Sequence, residues 1–379
     1  MCAKATVRDV FESEGSRFEV YDTQLDHPDY DTLLLAWRTP VTGGRRSRVL
    51  LKRLLRSPHR EQRERAWEEI QLASYLSHDN IAQVFGLVSR GEEDFVVMES
   101  LHGLYLLTAM DFALLSNERL SPAFAAYVAA EVADALDYAH HRHDTSGNPL
   151  HIIHRAVSPV RIRLGFDGRI KLTNFGAAYS DLRGRKPSPD GLLRGDPAYC
   201  APEVLRAALE PNRTRSDPLI SGAIDGRADV FSLGLILLEM LAAEYPFDPT
   251  SQLVPKPPAG FAQQMRTERS SWLDLDSLAF RRLRFTATEA ERLTESVPEP
   301  LRVILRRALQ PESSQRLEAG QMRDALRSYL GHLPRPFDRY ALEEEVTRLH
   351  AKVYSLERKV ARPVERTAFM PEGSGGSTP

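Results

Sequence analysis

The amino-acid sequence predicts an α+β protein with a β-rich first part, a helical second part and a coiled-coil helix near its end. Runs rich in β-branched and apolar residues predict strands at residues 17–21, 32–37 and 48–53. Ser121-Pro122 predicts a helix start, because serine caps a helix and proline suits its first turn. That helix is expected to run to about His140, and a heptad pattern near the end of the chain predicts the coil.

Composition and charge exclude several classes of protein. The chain has 379 residues, of which 42% are hydrophobic, so it can bury a substantial core. A formal net charge of −2 gives no reason to expect binding to nucleic acid or to a membrane. The two cysteines, Cys2 and Cys200, are far apart, which fits a reducing cytoplasm better than a disulfide framework. No apolar run approaches the ~20 residues of a membrane span, so we expect a cytoplasmic protein without a secretory leader.

A β-hairpin is predicted at the centre of the chain, within the stretch 151–203. Two short β-branched runs, 162–164 and 170–173, flank a turn at 166–169 that reads Phe-Asp-Gly-Arg. Asp-Gly between two such runs is a strong hairpin signal. The hairpin separates two loops, and each loop carries a short motif.

These motifs resemble those of one enzyme family. His154-Arg155 precedes the hairpin, Asn174-Phe175-Gly176 follows it, and a long loop then ends at Ala201-Pro202-Glu203. This order resembles the catalytic core of the protein kinase family, in which an HRD loop, a hairpin, a DFG motif, an activation segment and an APE motif follow one another. The resemblance covers about residues 17–333. It implies a bilobal fold, with a β-rich N-lobe at 17–98 and a helical C-lobe at 99–333.

The resemblance also implies that the catalytic groups of the family have been replaced. The aspartate that accepts the substrate proton is Ala156, the asparagine that holds a magnesium ion is Arg161, and the aspartate that bridges magnesium to the phosphates is Asn174. Ser158 stands in place of the catalytic-loop lysine, which is a weaker departure because some bacterial relatives carry serine there. Asp196 replaces a threonine ahead of the APE motif, and a structural role is expected for it.

These replacements predict a pseudokinase, that is, a kinase-like protein without catalytic residues and without a metal site. A positioned general base contributes ~10²–10⁴-fold to a rate, and magnesium contributes several kcal/mol more by neutralising the phosphates. Arg161 adds positive charge where a divalent cation would bind and should repel it. We expect a regulatory or scaffolding module that binds protein partners of unknown identity. The alternative is a divergent Ser/Thr protein kinase, or another ATP-dependent transferase, with weak activity.

The nucleotide-binding residues of the family are only partly present. The loop at 23–31 would cover the phosphates, but it has no glycine and carries three aspartates, so we expect an ordinary surface hairpin. Lys52 matches the phosphate-binding lysine, and Met98 matches the gatekeeper before the hinge. Glu69, on a helix predicted at 61–76, matches the partner of Lys52 and is expected to form a structural tie with it. No cofactor is expected, although weak, metal-independent nucleotide binding stays open.

Other matches are to residues that hold the kinase fold together. His154 and Phe175 match residues of the hydrophobic spine of the family. Asp229 matches the aspartate that binds the backbone of the HRD loop. Glu203 and Arg316 match an ion pair that ties the APE motif to the C-lobe. The resemblance therefore implies that the scaffold is retained while the chemistry is lost.

Two further segments carry weaker signals. Three histidines, His140, His141 and His143, close the helix that begins after Ser121. A solvated helix end is expected there rather than a metal site, because basic groups suit a helix C-terminus. Residues 249–298 are longer than the corresponding part of the family, and no element is assigned to them.

A heptad pattern follows the kinase-like region. Valine and leucine alternate at spacings of four and three residues: Leu342, Val346, Leu349, Val353, Leu356 and Val360. Valine at a and leucine at d favour a two-stranded parallel coil, so we predict a coiled coil at 338–362 that forms a homodimer. The alternative is one amphipathic helix packed against its own domain. We also expect a flexible N-terminus at 1–16 and a disordered tail at 363–379, the latter rich in Gly, Ser and Pro.

Overall fold

The computed structural model describes residues 7–24, 33–54, 60–182, 192–209, 224–243, 266–267, 283, 285 and 287–360. These residues form a β-sheet lobe, a mainly helical lobe and a C-terminal helix. The bilobal α+β fold predicted from the sequence is therefore confirmed. Most of the loop at 23–31, most of the segment 249–298 and the whole tail at 363–379 lie outside the described residues.

The N-lobe is built on one antiparallel sheet. Its strands are β1 (Asp9–Ser13), β2 (Ser16–Gln24), β3 (Leu33–Pro40), β4 (Ser47–Leu54), β5 (Val84–Arg90) and β6 (Glu93–Glu99). They pair in the order β1-β2-β3-β4-β6-β5. Side chains alternate between the two faces of a strand, and one face buries Phe18, Val49 and Phe95 in a single apolar cluster.

Strand β1 corrects the prediction of a flexible N-terminus over residues 1–16. It pairs with β2 through a two-residue turn, Glu14-Gly15, in which both residues have positive φ angles. Turns of this kind match the twist of antiparallel strands, which is why they close hairpins. The ring of Phe11 also stacks on that of Phe18, with the centroids 5.1 Å apart. The turn and the aromatic pair together order residues that composition alone indicated to be flexible.

One helix accompanies the sheet. Helix α1 (Arg60–Ala73) follows β4 and corresponds to the helix expected at 61–76. Leu72 on this helix is 4% exposed and belongs to the hydrophobic core that continues into the C-lobe. The helix therefore links the N-lobe sheet to the C-lobe through apolar packing.

The C-lobe is mainly helical. Its helices are α2 (Leu106–Leu115), α3 (Pro122–His140), α4 (Pro202–Leu209), α5 (Arg227–Ala242), α6 (Ala287–Leu293), α7 (Glu299–Ala308) and α8 (Ala319–Gly331). Its strands are β7 (Gly103–Tyr105), β8 (Ile162–Gly165), β9 (Ile170–Leu172), β10 (Leu192–Leu193) and β11 (Arg266–Thr267). Strands β7, β8 and β9 form a small sheet, and β10 pairs with β11. Of the helices in the described ranges, none is both long and apolar enough to cross a membrane.

Helices α3 and α5 form the centre of the C-lobe. Ser121 caps α3 as predicted, because its Oγ accepts the N–H of Phe124 at 3.1 Å. Many positions of α3 are buried alanines, and small side chains let α5 and α8 approach closely. Nearly every residue of α5 is buried, which is the behaviour of a helix inside a core. The catalytic-loop region is built on this pair of helices.

A buried ion pair ties α4 to the loop before α8. Arg316 and Glu203 meet through two parallel contacts, Nη1–Oε1 at 2.6 Å and Nη2–Oε2 at 2.7 Å. Further N–H groups of Arg316 donate to the carbonyls of Gln310 and Pro311. The guanidinium also lies 4.8 Å from the ring centroid of Phe231. With 4% of Arg316 exposed, this pair has the geometry in which a charge contact is strongest.

A C-terminal helix, α9 (Arg339–Val360), corrects part of the predicted dimer seam. Leu342, Val346 and Leu349 are at most 1% exposed and pack into the chain's own core, where α9 contacts α2 and β8. A side chain buried in this way has no surface left for a second helix. The alternative interpretation, a helix packed against its own domain, therefore holds for the first three positions of the heptad pattern. The other heptad side chains lie outside the described residues, and a homodimer through them stays a prediction: Val353, Leu356 and Val360.

Polar contacts fix the position of α9 along the C-lobe. The carboxylate of Glu345 accepts a hydrogen bond from Oγ of Ser121 at 3.2 Å, at the start of α3. Arg348 and Lys352 both donate to the carboxylate of Glu118, in the loop between α2 and α3. Charges that could have faced a second helix in a coiled coil are thus engaged within the same chain.

Replacing Arg316 should destabilise the protein strongly. Arg316→Ala is expected to cost about 3–5 kcal/mol of unfolding free energy, because it leaves the Glu203 carboxylate without its buried partner. Arg306→Ala is the matched control, since Arg306 pairs with Glu291 where both side chains are more than 40% exposed. An exposed pair contributes about 0–1 kcal/mol. Urea unfolding measures both variants, and equal losses would contradict the role of the buried pair.

The packing of α9 leads to a second expectation. Leu349→Ala should lower the free energy of unfolding by about 2–5 kcal/mol, because it opens a cavity in the core. Thr347→Ala, two residues away on the exposed side of the same helix, should change stability by only about 0.5 kcal/mol or less. Chemical denaturation at two protein concentrations gives both values. If Leu349→Ala cost no more than Thr347→Ala, α9 would not be part of the core in solution.

Candidate functional site

The candidate site is a cleft between the sheet of the N-lobe and the C-lobe. The segment that follows β6 connects the lobes at one side of this cleft. Met98, predicted to be the gatekeeper, is 5% exposed and lines it together with Leu50 and Leu101. The cleft is where the resemblance to kinases implies a nucleotide.

The predicted pair between the N-lobe lysine and the helix glutamate forms. Nζ of Lys52, on β4, lies 3.0 Å from Oε2 of Glu69, on α1. The side chains are 15% and 4% exposed, respectively. Breaking a largely buried pair by removing one partner is destabilising, so the pair ties strand to helix whether or not a nucleotide binds.

The predicted spine residues are also in contact. The rings of His154 and Phe175 meet edge to face, with their centroids 4.5 Å apart. Burial lowers the pKa of His154 to about 4, so the ring is neutral at physiological pH. The network agrees with a neutral ring, because Nε2 donates to the carbonyl of Thr173 and Nδ1 accepts the N–H of Ala156. The histidine is thus a core residue, as the sequence implied.

A buried carboxylate holds the catalytic-loop backbone in place. Asp229 of α5 accepts the N–H groups of His154 at 2.7 Å and of Arg155 at 2.8 Å. Arg155 has a left-handed φ of 61°, a conformation that needs such support in a residue other than glycine. His140 Nε2 lies 2.9 Å from the same carboxylate. Burial would raise the pKa of Asp229, but the hydrogen bond from His140 and its neighbouring charge hold that pKa below its usual value.

His140 therefore differs from its prediction. The sequence predicts a solvated helix end, but His140 lies against the buried carboxylate of Asp229 and beside Gly226, where an added Cβ would meet its ring at about 2.5 Å. Among the described residues there is no group of side chains that could hold a metal ion, at these histidines or elsewhere. The sequence carried no signal for the His140–Asp229 contact, because the two residues are 89 positions apart.

The position of the catalytic base holds a methyl group. Ala156 is 3% exposed, and the backbone at Gly195 lies directly against it. A Cβ at Gly195 would come within 2.9 Å of the Cα of Ala156.

Ser158 is fully buried, and its Oγ has no hydrogen-bond partner among the described residues. Asp196 caps the following turn by accepting the N–H of Ala198 at 2.9 Å, which is the structural role expected of it.

The positions of the two metal ligands do not suit a divalent cation. Asn174 has a left-handed φ of 64°, and its side-chain oxygen accepts the N–H of Gly176 at 3.3 Å. Arg161 is 5% exposed and presents a cation instead of an oxygen ligand. Magnesium is usually bound through carboxylates and water in near-ideal octahedral geometry. One amide oxygen that already accepts a hydrogen bond does not meet that requirement, and a guanidinium supplies no oxygen ligand, so the residues present do not fit the magnesium ions of the family.

Arg163 lies inside the cleft and was not predicted as a site residue. Its Nη2 donates to the carbonyl of Leu101 at 2.8 Å and to that of Gly103 at 3.2 Å. Its guanidinium also stacks over Tyr105, 4.2 Å from the ring centroid. The side chain is 8% exposed. A charged residue between Ile162 and Leu164, in a strand otherwise apolar, was the signal in the sequence.

The space left in the cleft is small. The cavity lined by the gatekeeper, the hinge and Arg163 measures about 30 Å³. A volume of that size holds water but no nucleobase. Pockets for drug-sized ligands have volumes of about 300–1,000 Å³. In this structure the part of the cleft beside the hinge therefore has no room for a nucleobase.

A second carboxylate, which is partly buried, lies beneath the activation segment. The hydroxyl of Tyr199 donates to Oε2 of Glu239, on α5, at 2.7 Å. Burial raises the pKa of Glu239 to about 7; the hydrogen bond from Tyr199 opposes this shift, and the charges of Asp111 and Asp196 add to it. No local sequence pattern indicates this contact, because Tyr199 and Glu239 are 40 positions apart.

The raised pKa of Glu239 predicts a pH dependence. Folding favours the protonated form, so this group makes the protein less stable as the pH rises from about 4.5 to about 7. Glu239→Gln removes the charge, so above pH 7 it should be more stable than the wild type by up to about 3 kcal/mol. Near pH 4 the two proteins should be similar. Glu344→Gln, at an exposed position, controls for the loss of one charge. A stability difference that does not change with pH would contradict this assignment.

Comparison with known proteins agrees with this geometry. The family model described as the protein kinase domain matches residues 41–326. Tyrosine-protein kinase MasK of Myxococcus xanthus is 29% identical over 209 residues, which are 54% of this chain and 30% of that protein. Serine/threonine-protein kinase PrkC of Bacillus subtilis is 26% identical over 260 residues, 68% of this chain and 32% of the relative. Serine/threonine-protein kinase PknJ of Mycobacterium bovis is 31% identical over 244 residues, 62% of this chain and 36% of the relative.

The matched segments thus cover about a third of each of these three relatives. The domain match, in contrast, covers more than half of this chain and extends through both lobes. It includes the Lys52–Glu69 pair, the contact between His154 and Phe175, and Asp229. The chain belongs to the protein kinase family.

Proposed function

We propose that this chain is a pseudokinase that acts as a regulatory or scaffolding module by binding other proteins. One observation carries the proposal: the three positions that perform phosphoryl transfer in the family are occupied by Ala156, Arg161 and Asn174 within an otherwise assembled scaffold. None of the three side chains is a carboxylate. A methyl group cannot accept the proton of a substrate hydroxyl, and a guanidinium cannot bind magnesium.

Magnitudes support a loss of activity that is close to complete. A positioned general base is worth ~10²–10⁴-fold. Charge neutralisation by magnesium adds several kcal/mol, and each 1.36 kcal/mol is about tenfold in rate. Family members turn over at roughly 1–100 s⁻¹, so the loss of both contributions would leave phosphoryl transfer negligible.

The retained contacts support a role in binding. The Lys52–Glu69 pair, the bonds to Asp229 and the Arg316–Glu203 pair all stabilise the fold without contributing the missing chemistry. A stable kinase-like surface without transfer chemistry can still present docking sites to other proteins. We place this module in the cytoplasm, where its two cysteines would stay reduced.

A phosphotransfer assay tests the proposal. Radiolabel from ATP should reach neither the chain itself nor generic protein substrates above the level of a blank, with magnesium or manganese present. Lys52→Met is the matched control, because it removes the lysine expected to bind phosphate and should leave this blank level unchanged. Transfer by the wild type that disappears in Lys52→Met would instead support the alternative of a divergent kinase, for which the intact Lys52–Glu69 pair is the favourable observation.

A further inference from the structure

We propose that Arg163 is a built-in occupant of the nucleobase part of the cleft and closes it to adenine nucleotides. This inference rests on the proposed function and explains how the vestigial nucleotide site stays closed. The side chain comes from β8, on the floor of the cleft, and reaches the segment that connects the two lobes. The occupant is thus part of the chain.

The hydrogen bonds made by Arg163 are the first reason. The carbonyls of Leu101 and Gly103 are the acceptors that this connecting segment offers to it, at 2.8 Å and 3.2 Å from Nη2. An adenine entering the cleft would have to place its exocyclic amine against acceptors of this kind. A guanidinium is likewise planar and rich in N–H donors, so it can satisfy the same carbonyls from within the protein.

The stacking of Arg163 is the second reason. Its guanidinium lies 4.2 Å from the ring centroid of Tyr105, on a face that a nucleobase could otherwise use. The remaining cavity of about 30 Å³ is lined by Leu33 and Leu50 of the N-lobe and by Leu101 of the connecting segment. An adenine could therefore enter only if Arg163 moved away from Leu101 and Tyr105.

Among the described residues, the buried charge of Arg163 has no ionic partner that a substitution would leave unpaired. In the described part of the chain it has no carboxylate within salt-bridge distance, and burial lowers the pKa of its guanidinium. The acids nearest the cleft are engaged elsewhere, Glu69 with Lys52 and Glu99 with Lys171. Burying a charge without an ionic partner carries a desolvation cost, and an apolar side chain of similar volume removes that cost. Apolar variants at this position are therefore expected to fold.

The test is a calorimetric titration of the full chain with adenosine and with ATP, each in the presence of EDTA. Adenosine is the critical probe, because it has no phosphates that could respond to Lys52 or to the loop at 23–31. The wild type should show no binding of adenosine up to about 1 mM. Arg163→Leu and Arg163→Met should each bind adenosine at least about tenfold more tightly, because both remove the N–H donors and the stacked group.

Arg169→Leu is the matched control. Arg169 lies on the same hairpin, 47% exposed, where it pairs with Asp167 and does not line the cleft cavity. This variant should bind adenosine no better than the wild type. Thermal melting of all four proteins checks that each is folded.

Three outcomes would overturn the proposal. Micromolar binding of adenosine by the wild type would mean that Arg163 does not close the cleft. Folded Arg163→Leu and Arg163→Met proteins that bind no better than the wild type would mean that something else closes it. Unfolding of both variants would make Arg163 a residue that holds the fold together. The phosphotransfer assay is independent: transfer by a variant that has gained binding would refute the proposed inactivity while leaving the role of Arg163 intact.

Discussion

The geometry of the site depends on one buried carboxylate, Asp229. It lies on α5, the most buried helix of the C-lobe, and it binds two consecutive backbone N–H groups of the catalytic loop. These bonds hold Arg155 in a left-handed conformation that would otherwise be unfavourable. Its guanidinium then donates to the carbonyls of Ala177 and Ala178, so the start of the activation segment is fixed through the same residue. Loop, segment and helix are therefore coupled through one side chain.

This coupling does not involve the side chains at the positions that transfer phosphate in the family. The contacts that determine the fold and the groups that transfer phosphate are different side chains in the same loops. Ala156 and Asn174 stand at two of the family's catalytic positions, whereas Asp229 binds backbone atoms, which every residue has. The Lys52–Glu69 pair likewise joins a strand to a helix irrespective of a ligand. Substitutions at the motif positions that transfer phosphate in the family therefore need not disturb the packing of the fold.

Sequence and structure agree where a property is local. The strands, the capped start of α3 and the identities of the residues at the motif positions follow from neighbouring residues or from motif spacing. They differ where a property depends on distant parts of the chain. The heptad predicted an apolar stripe correctly, but a stripe is equally satisfied by a second helix or by the chain's own core. Leu342, Val346 and Leu349 pack against α2 and β8, and the contacts of Glu345 and Lys352 follow from that choice.

The sequence by itself determined the family resemblance, the two lobes and the identities of the residues at the motif positions, because motif spacing assigns each residue to its position. Only the tertiary structure decided that Arg163 fills the cleft, that His140 supports Asp229 and that the first half of the last helix is packed within the chain. The physical reason is that the partners of a buried charge or an apolar face are set by three-dimensional packing. Residues far apart in sequence supply those partners. A local sequence pattern indicates that a buried charge or an apolar face needs a partner, but it does not indicate which residues supply it.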